Sequence, residues 1–155
     1  MRRRDREIES TEELLAVLDA CQVMRIGMTD EDGVYVLPMN FGYQYEDGEL
    51  TFYMHGALEG KKLDLIRRNP KVGFELDCDH KLIEGKVACQ YGFHYASIVG
   101  KGIAKIITEP QEKIKGMTVL MKSITGKDFE FNEKLVSIVS VIKITATQFS
   151  GKRRE

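Results

Sequence analysis

His55 is followed by Gly56 and Ala57, then by Gly60, Lys61 and Lys62, in the stretch YMHGALEGKK. An imidazole with an ordinary pKa near ~6.5 can deliver a proton or hydrogen-bond a redox-active ring. The lysines stand at the start of a helix that LEGKKLDLIRRN (58–69) predicts and Pro70 closes. A helix N-terminus already carries about half a positive charge, so each lysine there is unfavourable by about 0.3–1 kcal/mol. A bound phosphate would reverse that sign by gathering free N–H groups, the dipole and one or two ammonium groups. The alternative is two solvated lysines screened by Glu59, with His55 an ordinary packed or surface histidine. The spacing is not that of a Walker A loop.

Arg25 lies in VMRIGM (23–28), where alternation with apolar neighbours places it on one face of a strand. It reads either as an exposed strand arginine or as a further cation toward the same anion. PMNF (38–41) interrupts the next strand pattern, because Pro38 removes a ladder donor. Backbone groups near such a break are free to bond a ligand; an ordinary edge-strand proline would look the same.

Other elements must position these residues. Ser10 with Glu13 predicts a capped amphipathic helix over about residues 11–20, after a loosely held polar arm at 1–9. VMRIGM, VYVLPMNFGY (34–43) and ELTFYM (49–54) predict a three-stranded antiparallel meander, with Asp32-Gly33 and Asp47-Gly48 as turns. KVGFELD (71–77) is a strand, residues 79–90 are ambiguous, and 91–108 is a long strand or a bent pair, with Gly100 and Gly102 marking a bulge or a sharp coil. Pro110 opens a helix over about 110–123. LVSIVSVIKITATQFSG (135–151) closes with a strand apolar enough for burial on both faces. Neither βαβ alternation nor a Gly-x-Gly-x-x-Gly turn is present, so a mainly β class follows, an antiparallel barrel carrying helices.

The 155 residues suit one domain, 1–155, and the net charge of −1 excludes a polyelectrolyte seeking nucleic acid or membrane. The arginine runs at 2–4 and 152–154 read as solvated tails or lids. Cys21, Cys78 and Cys89 are an odd number without tight spacing, which argues for a reducing compartment. With no secretory h-region and no apolar run of ~20 residues, a cytoplasmic protein is expected. Cys78, His80, Cys89 and His94 match no common zinc spacing, so no metal site is assigned.

At MRRRDREI, RIGM (25–28), VYVLPMNFGY (34–43), LTFYMHGALEGKKLDLIRRNPKVGFELD (50–77), YASIVGKGIA (95–104) and SGKRRE, the chain resembles the FMN-binding split-barrel superfamily typified by pyridoxamine 5′-phosphate oxidase. Within it the chain looks most like the nitroimidazole-resistance (Nim-like) flavoproteins. The resemblance implies a six-stranded antiparallel Greek-key split barrel and a homodimer with FMN at its interface. It implies Lys61 and Lys62 at the FMN phosphate with Arg25 in support. It puts Met39, Asn40 and Phe41 along the isoalloxazine, largely through backbone, and His55 beside the ring. Tyr53 and Ser97 are further implied contacts, Ser97 from the second subunit.

The function so implied is an oxidoreductase passing electrons from reduced flavin to a small aromatic acceptor, with NAD(P)H as candidate donor. A non-catalytic flavin carrier or redox sensor is the alternative, and a haem-binding split barrel ranks below both. The basic residues with which pyridoxamine 5′-phosphate oxidases hold their substrate's own phosphate are not matched as a full set. Oxidation of a vitamin B6 phosphate is therefore not expected.

Overall fold

Ser10 begins the first helix as its spacing predicts, its Oγ accepting a hydrogen bond from the Glu13 N–H at 3.4 Å. The computed structural model describes residues 4–155. After a 3-10 turn at Arg4–Arg6 come β1 (Glu7–Ile8), α1 (Thr11–Ala20), β2 (Met24–Asp30), β3 (Gly33–Met39), β4 (Gly42–Glu46) and β5 (Glu49–Gly56). They are followed by α2 (Lys61–Arg68), β6 (Lys71–Ile83), β7 (Gly92–Ile107), α3 (Pro110–Thr125), α4 (Glu133–Ser137) and β8 (Ser140–Arg154).

All strands join one antiparallel sheet of eight in the order β3-β2-β6-β7-β8-β5-β4, with β1 beside β8. Two more strands than the expected six take part, and the mainly β class holds. Residues 23–54 are not a three-stranded meander. VYVLPMNFGY breaks at Asn40-Phe41 into β3 and β4, which stand at opposite edges of the sheet. Three Cα steps join Met39 to Gly42, at most about 11 Å, so the two edges must be brought together and the sheet must curl. The expected turn holds at Asp47-Gly48; the one expected at Asp32-Gly33 falls a residue earlier, at Glu31-Asp32, and Gly33 opens β3.

The curl encloses Met24, Ile26 and Met28 of β2, Leu50, Phe52 and Met54 of β5, Phe74 and Leu76 of β6, and Ile142 and Ile144 of β8. Phe52 is at the centre, edge-on to Phe41 at 5.6 Å and to Phe74 at 5.0 Å. α1 closes this core with Val17 and Leu18, and α2 with Leu63, Leu65 and Ile66. A second cluster, Ile107, Met117, Leu120, Val136 and Val141, lies beneath α3 and α4. β8 is thus buried on both faces over 140–142, as its composition predicts. A Cβ on Gly42 would sit 2.6 Å from Leu120 Cα and 2.7 Å from the Val119 carbonyl oxygen. α3 therefore rests directly on the backbone of β4, where only glycine fits.

Several boundaries differ from expectation. β6 continues past Cys78 to Ile83 through a register shift, with Asp79 at a φ of 61°. Residues 135–137 belong to α4, because the Asn132 side chain accepts from the Leu135 N–H at 2.9 Å and caps a helix turn. α3 extends two residues further, to Thr125. The arm is held where it is described: Glu7 and Ile8 pair with Lys152 and Gly151, and Ile8 is buried. The run at 152–154 is strand backbone, not a tail. Arg2 and Arg3 lie outside the described residues.

Candidate functional site

β5 delivers His55 to its C-terminal end, where it pairs with Val141 of β8. The outgoing chain reaches α2 through Gly56–Gly60, and the Ser140 hydroxyl donates to the Ala57 carbonyl at 2.7 Å to hold that turn. Gly60, at a φ of 139°, precedes the first turn of α2 without any side-chain cap. The Leu63 and Asp64 N–H groups bond the Gly60 carbonyl at 2.9 and 3.3 Å. The N–H groups of Lys61 and Lys62 come before that first bond and have no intrahelical acceptor.

The two lysines diverge. Lys61 reaches back to the β2–β3 hairpin, its Nζ 2.5 Å from Asp30 Oδ2 and 4.8 Å from the centre of the Tyr35 ring. This neighbour raises the Lys61 pKa and lowers that of Asp30. Lys62 is half-buried and lies over the backbone of Gly56, where an added Cβ would come within 2.7 Å of its Nζ. It has no carboxylate partner among the described residues. Its ammonium group is close enough to act on His55. Desolvation first, then Lys62, hold the imidazole below its ordinary value, so His55 is neutral at pH 7 and one ring nitrogen can accept.

His55 opens onto a cleft of about 250 Å³ lined by Pro38, Met39 and Asn40 at the end of β3 and by Leu120 and Ile124 of α3. The structure so brings together His55, Met39 and Asn40 among the predicted residues, with Lys62 behind. Asn40 and Phe41 lie between strands, outside the ladders, as the Pro38 interruption suggested. The Asn40 amide donates to the Gln22 carbonyl at 2.9 Å. The Phe41 side chain packs on Phe52 in the core, and the residue borders an adjoining cavity and not the His55 cleft.

Three predicted residues lie elsewhere. Tyr53 is buried beneath α3 against Gly116, and burial, then Glu112, raise its pKa. Arg25 sits opposite Pro38, one strand from the cleft, but its guanidinium is engaged by Glu75 at 3.0 Å and by Asp77, which also lies 2.5 Å from His80 Nε2. Ser97 is on β7 opposite Asp77, two strands from β5. Leu120 and Ile124 were not anticipated; the helix over 110–123 was predicted, but the strand it would cover was not. Among the described residues no three His, Cys, Asp or Glu side chains gather as a metal set. No helix among them is long and apolar enough to cross a membrane.

A curled antiparallel sheet with a cleft at the junction of its two edge strands defines the split-barrel class. The chain belongs to the pyridoxamine 5′-phosphate oxidase family, whose model matches residues 10–153. It is similar to a protein of Bacteroides thetaiotaomicron described as a candidate 5-nitroimidazole antibiotic resistance protein, at 29% identity over 95% of this chain and 86% of that one, with a TM-score of 0.81. The fold is shared with a flavocytochrome of Azotobacter vinelandii, at 17% identity over 100% and 72% of the chains and a TM-score of 0.80. It is also shared with an FAD and haem binding protein of Mycobacterium smegmatis, at 15% identity over 97% and 74% and a TM-score of 0.82. No curated protein matches the sequence.

Proposed function

We propose that the protein is an FMN-binding oxidoreductase that reduces a small aromatic acceptor. The observation that carries this reading is Lys62: a half-buried ammonium without a carboxylate partner among the described residues, at an uncapped helix start, beside a neutral histidine. That donor set fits a phosphate monoester. Lys62 and the free N–H groups of α2 hold the phosphate, and Asn40-Phe41 backbone and Met39 border the ring. Lys61 contributes less, because Asp30 already neutralises it. Bound FMN supplies the transfer of hydride or single electrons. His55 orients the acceptor by a hydrogen bond or passes it a proton. The likeness to a candidate 5-nitroimidazole resistance protein supports a nitroheteroaromatic or quinone-like acceptor, with NADH or NADPH as donor.

A second copy of the chain completes the site. The cleft of about 250 Å³ is smaller than the ~300–1,000 Å³ of ordinary ligand sites, so one chain offers only part of the walls. On the outer face of the sheet Gly27 pairs with Gly73, and Val34, Val36, Val99 and Ile103 stand exposed around them. That face, with glycines at its centre and the Arg25, Glu75, Asp77 and Lys101 charges among its apolar residues, suits a homodimer, and Ser97 shares it with Val99, a position from which it could serve the partner's flavin.

The first test is the visible spectrum of gently purified protein, with released cofactor identified by mass. Bands near ~375 and ~450 nm with about one FMN per chain are expected. A colourless protein that takes up no added FMN overturns the reading. Steady-state reduction by NADH or NADPH then separates a reductase from a carrier, which shows little turnover. His55→Ala with FMN still bound loses turnover; unchanged turnover would remove its catalytic role.

A further inference from the structure

A second cavity, of about 320 Å³, opens next to the His55 cleft and shares Asn40 and Ile124 with it. Its walls are Leu18, Asp19, Cys21 and Gln22 at the end of α1, Phe41 and Tyr43 of the adjoining chain, and Ser123 in the last turn of α3. Among the described residues the exposed Asp19 is the one charged residue lining it. It stands in the last turn of α1, which holds no basic residue. The free carbonyl groups of that turn carry partial negative charge of their own.

Nothing cationic answers Asp19 among the described residues. Its partner is neutral: the Tyr43 hydroxyl donates to Oδ1 at 2.6 Å. Burial, then that bond, push the Tyr43 pKa up, so the phenol keeps its proton and remains the donor. Oδ2 is left to accept from elsewhere. The Asn40 amide is spent on the Gln22 carbonyl and fixes the partition between the two cavities. Leu18, Phe41 and Ile124 add apolar wall, and the volume suits a single ring.

We propose that this cavity binds the amine- or amidine-bearing ring of a small aromatic compound, with Asp19 as its counter-ion. The inference rests on the flavin reading only in making that compound the electron acceptor. Asn40 and Ile124 line both cavities, so a ring seated here lies beside the His55 cleft. Anionic rings are excluded by the Asp19 carboxylate and the helix end together.

Isothermal titration with benzamidine, benzoate and benzyl alcohol as probes tests this on FMN-loaded protein and again on flavin-free protein. Benzamidine is expected to bind at least tenfold more tightly than the other two. Asp19→Asn should weaken benzamidine at least tenfold and leave the FMN dissociation constant within twofold. Ile124→Lys, which places the chain's own cation at the mouth, should also abolish benzamidine binding. Equal binding of benzoate and benzamidine, or unchanged affinity in both variants, overturns the proposal. Failure of FMN uptake overturns only the flavin reading, since the flavin-free titration still reports on the cavity. Lys62→Ala should separate the sites the other way, weakening FMN and sparing benzamidine.

Discussion

Two helix ends in this molecule carry charge of the sign that opposes the helix. Lys61 and Lys62 stand at the positive start of α2, and Asp19 stands at the negative end of α1. Each misplaced charge is unfavourable by about 0.3–1 kcal/mol unless something answers it. Lys61 is answered within the fold, by Asp30. Among the described residues Lys62 is not, and Asp19 is met only by a neutral phenol. Misplacement alone therefore does not mark a ligand site. What marks one is a misplaced charge that the other described residues leave unneutralised, beside a cavity. By that criterion the proposed anion site falls at α2, behind the His55 cleft, and the proposed cation site at α1, on the adjoining cavity.

The strongest challenge to this contrast is Gly42→Ala. The added methyl would meet the backbone of Leu120 and push α3 from the wall that both cavities share. A loss of about 1–3 kcal/mol in urea unfolding is expected, with FMN and benzamidine weakened together. If only one ligand were affected, the clefts would not share that wall in solution. Next comes Lys62→Ala against Lys61→Ala in FMN affinity. We expect at least a tenfold loss for the first, about 1.4 kcal/mol, and about threefold or less for the second, by fluorescence titration. Equal losses would erase the distinction drawn from Asp30.

A smaller effect is the titration of His55, followed by its ring protons in NMR. Its midpoint lies below ~6.5, and Lys62→Ala moves it upward, since Lys62 is one of the two causes of the shift. The sign for stability follows. The unfolded chain binds this proton more tightly than the folded one. The His55 contribution is thus complete above pH ~6.5 and is lost as pH falls toward the lower folded value. Smallest of all, Lys62→Ala without flavin should leave stability unchanged or raise it by up to about 1 kcal/mol, because it removes an unfavourable charge. A marked loss would mean that Lys62 has a structural partner.

Much of this was legible in the residues. Ser10, Pro70, Pro110 and the two Asp-Gly pairs are local devices, and the elements they bound are where they point. The split of 34–43 was not, because the apolar pattern runs unbroken through it and Pro38 sits comfortably on an edge strand. The helix at 133–137 was hidden because Leu135-Val136-Ser137 runs directly into the β-branched strand that follows, although Asn132-Glu133 is a capping signal. His55 and the lysines stood out by type and spacing. The pairing of Lys61 with Asp30, of Arg25 with Glu75, and the meeting of Asp19 with Tyr43 are long-range contacts that no local pattern encodes.

β8 lies between β7 and β5, and it also carries β1. β5 has no strand partners but β4 and β8. Until residues 140–154 arrive, the sheet exists as two pieces, with β4 and β5 a lone hairpin and one edge of β7 bare. On a ribosome the chain must therefore carry His55 and the residues of the proposed site past synthesis of β5 without a barrel to hold them. Closure is a single event made by β8, and the proposed flavin capture must wait for it.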